Sequence, residues 1–147
     1  MNKLEKIKLE KESKIVKPSI YFGHPVSTYN KDIESILIKN ISLAFPCFNV
    51  YNPNNIEDAN NYKYWRENSV SGMQYYFDVV LPNMHSGIFL PFNDNKYGAG
   101  VWSEAKFLQD SGKNIYSINE SELISKINDI SNEEVLSIEE TRERVYG

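Results

Sequence analysis

The sequence predicts an α/β domain: a single-domain three-layer sandwich with a mostly parallel sheet of four to five strands, of the flavodoxin or Rossmann-like kind, plus C-terminal helices. Three observations predict it. Short apolar runs ("SIYF", "CFNV", "SGIFLPF", "NIYSI") alternate with segments whose apolar residues recur at helical spacing. The run "SGIFLPF" is continuously apolar, as strands covered on both faces are. With 147 residues and 41% apolar content, the chain fits one domain around one core.

Each element has its own signal. Residues 1–17 alternate Lys and Glu around a sparse apolar set (Leu4, Ile7, Leu9) and read as a charged tail or frayed helix ahead of the domain at 18–147. "SIYF" is the first strand and stops at Gly23, where the turn-rich "GHPVSTYN" begins. A helix is expected from Lys31, with Asn30 as its cap and Ile33, Ile36, Leu37, Ile41 and Ala44 at helical spacing; Pro46 ends it. "CFNVYNP" reads as a second strand closed by Pro53. Residues 52–68, rich in Asn and Tyr, lack a clean period and read as loop with one or two short helical turns.

Further on, Met73, Tyr76, Phe77, Val80 and Leu81 fall at i, i+3, i+4, i+7 and i+8, a second core-facing helix stopped by Pro82. "SGIFLPF" is the third strand. The loop "NDNKYGAG" then leads to a third helix from about Val101 to Ser111, with Gly112 as its stop, and "NIYSI" is the fourth strand. Two capping-box patterns, Asn119-x-x-Glu122 and Ser137-x-x-Glu140, predict two closing helices.

Composition narrows the function classes. A net charge of −4, from 16 basic and 20 acidic residues, supplies no basic field for nucleic acid, so a small-molecule partner is expected instead. No apolar run approaches the roughly 20 residues that span a bilayer, and the charged start does not read as a signal peptide. The single cysteine, Cys47, forms no internal disulfide and reads as a buried thiol, which suits a cytoplasmic protein. Two histidines in "GHP" and "MHS" make no metal motif, so neither metal nor cofactor is expected.

In an open parallel sheet, ligands bind beyond the carboxyl ends of the strands where strand order reverses. The loops at 23–30 and 91–100 are therefore the candidate edge. Glu104 follows the second of them, between Val101, Ala105 and Leu108, which define the buried stripe of the third helix. Placed in the first helical turn, it is expected to stay ionised and face the sheet end. A first-turn glutamate also serves simply to complement the helix dipole; its position after a Gly-rich loop at a ligand edge is what singles it out.

The segments "IYFG" (20–23), "GIFLPF" running into "GAGVWSE" (87–104), and the eight-residue step from Glu104 to Gly112 and Lys113 together resemble the nucleoside 2′-deoxyribosyltransferases and their N-glycosidase relatives. The resemblance spans residues 19–118. It implies that Glu104 attacks the anomeric carbon of a ribosyl or deoxyribosyl group of a nucleoside or nucleotide, expels the base, and passes the sugar to water or a second base. Asp94 and Asp78 are the candidate proton donors for the base, and Tyr21 the residue that positions nucleophile or sugar. Relatives usually carry an Asp where Gly98 stands here, and Asn83 stands where a family Asp precedes the third strand. The resemblance further implies a homo-oligomer.

Other residues join the candidate binding set. Gly23 and His24 lie at the end of the first strand; Gly98 and Gly100 form a turn able to bring backbone N–H groups to a phosphate; Trp102 walls the pocket or packs the helix on the sheet; Arg66 pairs with a 5′-phosphate or is simply solvated. The rival readings are a non-catalytic nucleotide-binding domain of the same fold and a protein-interaction module built on the Tyr-rich region 52–76.

Overall fold

A computed structural model describes residues 1–147. Five strands form one sheet in the order β2-β1-β3-β4-β5: β1 (Ser19–Gly23), β2 (Asn49–Tyr51), β3 (Ser86–Phe89), β4 (Asn114–Ile118) and β5 (Ile124–Ile127). The first four are parallel, and β5 returns antiparallel to β4. The expected α/β class and mostly parallel sheet are therefore present. Strand order reverses between β1 and β3, the switch point that makes the crevice above their carboxyl ends the natural ligand site.

Side chains alternate across the sheet and build two cores. Ile20, Phe22, Ile88, Leu90 and Ile118 point to one face, where helix α2 (Asp32–Ala44) covers them with Leu37 and Ile41. Tyr21, Phe89 and Ile115 point to the other, under α4 (Ala99–Asp110), α3 (Ile56–Asn68) and α1 (Lys3–Lys14). Gly87 has no side chain beneath α4, and a Cβ there would lie 2.6 Å from Leu108 Cδ1, so the helix sits close to β3.

Several expectations need correction. Asn30 is not the cap of α2: it takes φ 64°, a left-handed turn conformation that Asn tolerates, and Lys31 holds the cap position. Within α2, Ile36 and Ala44 are exposed, so the buried stripe is narrower than the spacing suggests. Cys47 is exposed.

Residues 56–68 are a full helix, α3, whose hydrophobic periodicity is almost nil because its inner face is polar. Asn55 caps it by accepting from the Asp58 amide, and Asp58 and Trp65 are its buried residues. The helix expected over 73–81 is a wide π-helical turn (Tyr76–Val80) running into a 3-10 turn (Leu81–Asn83) that contains Pro82. The wider pitch moves the buried set to Tyr75, Val79, Val80, Leu81 and Met84, leaving Met73, Tyr76 and Phe77 half-buried.

The first capping box is not one. Asn119 Oδ1 accepts from Leu123 N, Glu122 takes φ 69°, and the segment makes a tight turn into β5 instead of a helix. The second is real: Ser137 and Glu140 cap α5 (Ile138–Tyr146) reciprocally. One C-terminal helix stands where two are expected.

Residues 3–14 form a docked helix. Lys11 is 6% exposed, and its ammonium pairs with Asp58 (2.9 Å) and Glu57 (2.5 Å) and donates to the Tyr51 hydroxyl at 3.0 Å. Burial works against that charge, but the hydrogen bonds to Asp58 and Glu57 outweigh it and raise the Lys11 pKa. Asp58, fully buried, also accepts from the hydroxyls of Tyr51 and Tyr75, each at 2.5 Å, and from Asn55 Nδ2 at 2.9 Å. This network ties α1 and α3 together at the level of the sheet.

Candidate active site

Glu104 lies on the second turn of α4, which begins at Ala99, so it does not enjoy the first-turn dipole. It is buried with Val101, Ala105 and Leu108. Opposite it, alternation along β1 aims Tyr21 at the same face, and the Tyr21 hydroxyl donates to Glu104 Oε2 at 2.5 Å. Two residues 83 positions apart are thereby joined. Tyr21 is itself buried, stacked near Tyr51 (ring centroids 6.1 Å) and edge-on to Tyr76 (6.5 Å).

The second carboxylate oxygen, Oε1, makes no hydrogen bond to the protein, yet no buried side-chain oxygen is both sealed from solvent and unbonded. Oε1 is therefore open to solvent through a narrow gap. Gly23 forms one wall: a Cβ there would lie 3.3 Å from Oε1 and 2.5 Å from Phe89 Cδ1. Gly23→Ala is accordingly expected to destabilise the fold by about 1–3 kcal/mol through overpacking and to close the approach to Oε1. Thermal unfolding together with ligand titration checks both halves.

Burial drives the Glu104 carboxyl up to about 8, against the lowering effect of the Tyr21 hydrogen bond. The expectation of a carboxylate ionised at neutral pH is thus corrected: desolvation outweighs both the Tyr21 donor and a dipole whose first turn lies elsewhere. Two more phenols bear on this acid. Tyr29, whose ring packs on His24 at 4.8 Å, and Tyr76 are both raised far above the ordinary phenol value, first by burial and then by neighbouring acids and phenols, with the Glu104 charge contributing to both. Neither hydroxyl has a protein partner, so by the same reasoning as for Oε1 both reach solvent. The aromatic ring of this site was not anticipated beyond Tyr21; "STYN" and "MQYYF" contain its members, but only the fold brings them together.

The remaining candidates divide sharply. Asp94 is exposed, and both its oxygens accept from Arg144 of α5, at 2.8 and 2.7 Å; the Arg144 hydrogen bonds pull its carboxyl down to about 2. Asp78 accepts from Trp65 Nε1 and Gln74 Nε2, against α3. Neither is hydrogen-bonded to the Glu104 cluster. Asn83 donates to Val79 O in the turn before β3, at the opposite end of the sheet. Trp102 donates from Nε1 to Ile130 O and so packs away from the crevice. Arg66 is exposed in the last turn of α3.

His24 is buried and stacked on Phe22. Its Nδ1 lies 2.9 Å from Phe22 O and its Nε2 2.7 Å from Glu34 Oε2, so no ring nitrogen is left for a ligand. Burial lowers its pKa, with Glu34 opposing. At the start of α4, Gly98 is the cap and packs against Thr141 Cγ2, and Thr141 Oγ1 accepts from the Ala99 amide at 2.9 Å, so part of the expected phosphate cradle is occupied by α5. Gly100 lies beside Met73.

No group of His, Cys, Asp and Glu is arranged to hold a metal. No helix is long and apolar enough to cross a membrane. A surface groove of about 560 Å³ lies between α1 and the edge strand β2, lined among others by Lys14, Val16, Ser42 and Phe48, and does not include Glu104. No protein-family description, curated protein or solved structure matches this chain.

Proposed function

We propose that this protein cleaves or transfers the N-glycosidic bond of a nucleoside or nucleotide, with Glu104 as nucleophile. One observation carries the reading: a buried carboxylate at the strand-order switch point, one oxygen held by Tyr21 and the other left open. Tyr21 fixes the carboxyl plane, and Oε1 attacks the anomeric carbon as the transition state acquires oxocarbenium character, which a nearby anion stabilises. The bond to the base breaks, a glycosyl ester forms, and water or a second base takes the sugar.

The experiment is base release from a panel of ribo- and deoxyribonucleosides and their 5′-phosphates, followed chromatographically, with intact-mass detection of a glycosyl adduct on the wild-type chain. Release that disappears in Glu104→Gln supports the reading; no release from any member removes it. The proposal extends to a cytoplasmic protein, as its composition suggests, and to a homo-oligomer, as the resemblance implies, and light scattering is expected to give at least a dimer.

A second reading has its own observation. With its carboxyl at about 8, Glu104 is mostly neutral at pH 7, as suits a domain that binds a nucleotide without turning it over. Saturable binding with no base released selects it.

A further inference from the structure

The groups around the crevice raise a question of chemistry that bears on which substrates Glu104 can act upon. A neutral base leaves a sugar with difficulty unless an acid protonates it, and such general acid catalysis contributes about 10²–10⁴-fold. Acids of the surrounding elements have partners of their own, among them Glu120, just beyond the end of β4, which accepts from the Asn93 amide. Asp94 is chelated by Arg144. Asp78 is bound by Trp65 and Gln74. Glu34 accepts from His24, Asn30 and Asn54, and Asp58 is enclosed by Lys11, Tyr51, Tyr75 and Asn55. The His24 ring is occupied at both nitrogens. What remains facing Glu104 is phenolic: Tyr21 from β1, Tyr29 from the following loop and Tyr76 from the π-helical turn, all pushed up and so unfit to give a proton away at neutral pH.

The electrostatic setting points the same way. Of the acids bearing on Tyr29 and Tyr76, Asp58 is already paired with the Lys11 ammonium and Glu34 with His24, which leaves the Glu104 carboxyl as the one open to a ligand. Arg144 is paired with Asp94, and Arg66 stands exposed at the end of α3. The rings of Tyr21 and Tyr76, with centroids 6.5 Å apart beside Glu104, suit a positively charged aromatic ring.

Resting on the N-glycosidase reading above, we infer that the substrate is an N-glycoside whose leaving nitrogen already carries a positive charge: a glycosyl pyridinium or an N-alkylated purine nucleoside. Such a leaving group needs no proton. Glu104 Oε1 bonds to the anomeric carbon, the C–N⁺ bond breaks with its electron pair passing to nitrogen, and the base departs neutral. Water then cleaves the glycosyl ester, giving the free sugar, the Glu104 carboxylate and one proton that passes to solvent or back to the carboxylate, with no oxidant or reductant involved. The cation also readies the nucleophile, because a positive ring beside a neutral buried carboxyl draws off its proton.

The test compares nicotinamide riboside and 7-methylguanosine with inosine, guanosine and uridine. We expect kcat/KM for the cationic pair to exceed that for the neutral nucleosides by at least about 100-fold, the low end of the missing acid's contribution. Calorimetry of nicotinamide riboside with Glu104→Gln, run near pH 7 in buffers of different ionisation enthalpy, gives an independent readout. The wild type should release up to one proton on binding, and the variant none while binding more weakly. Neutral nucleosides cleaved as fast as the cationic ones would overturn this inference and leave the N-glycosidase reading standing. Cleavage of none, with no proton release, would overturn both.

Discussion

Glu104→Gln should abolish base release, by at least about 10³-fold in kcat, while making the protein harder to unfold in mild alkali. The two effects share one cause. The carboxyl titrates near its ordinary value of 4.5 in the unfolded chain and at about 8 in the fold. Between those values the folded state holds the extra proton, so stability from this group is complete below about 4.5, declines as pH rises, and is exhausted above about 8.

Gln has nearly the same shape, still accepts from Tyr21 and carries no charge to desolvate. Its gain over the wild type at pH 9 should be on the order of a few kcal/mol, and close to nil at pH 4. Urea unfolding at both values measures it. Parallel pH dependences in the two proteins would contradict the buried, proton-holding state of Glu104. On uncharged substrates, the wild-type rate should climb with pH toward about 8, since only the ionised carboxylate attacks.

The second large effect is structural. Asp58→Ala is expected to cost about 3–5 kcal/mol, because it leaves the Lys11 ammonium buried with one partner fewer and strips two phenols of their acceptor. Against a typical stability of about 5–15 kcal/mol, that is a severe loss. Restoring apolar character on both sides, as in Lys11→Met with Asp58→Leu, should recover much of it, since a whole ion pair can be replaced where half of one cannot. Chemical denaturation of the two variants decides the matter, and an Asp58→Ala protein as stable as wild type would mean that the network carries little.

The parallel sheet was legible because its strands are marked by what physics requires of them. A doubly covered strand must be apolar throughout, as "SGIFLPF" is, and a helix on a sheet must repeat its apolar residues, as Val101, Ala105 and Leu108 do. Helix α3 hid because its inward face is Asp58 and Trp65, held by hydrogen bonds that leave no hydrophobic period. Strand β5 hid behind a capping pattern, since Asn119 satisfies a backbone amide equally well at a turn and at a helix start.

Glu104 and Tyr21 stood out as candidates, and their contact follows from strand alternation. Asp94 and Asp78 did not join them, because proximity along the chain says nothing about which arginine or tryptophan claims a carboxylate first. Tyr29 comes to the crevice through a loop that leaves no periodic trace, and Tyr76 through a widened helical turn whose apparent period marks it as a core residue instead.

Gly87 has a further consequence. With only a hydrogen below it, α4 rides low on the sheet, and Leu108 fills the space a methyl group would take. Glu104 sits one helical turn above Leu108, so its reach toward β1 is set by how far that helix is allowed to descend. A single methyl at Gly87 would act as a spacer, lengthening the Tyr21 contact without touching either partner. The dimension that tunes the acid is thus stored in a residue that has no side chain at all.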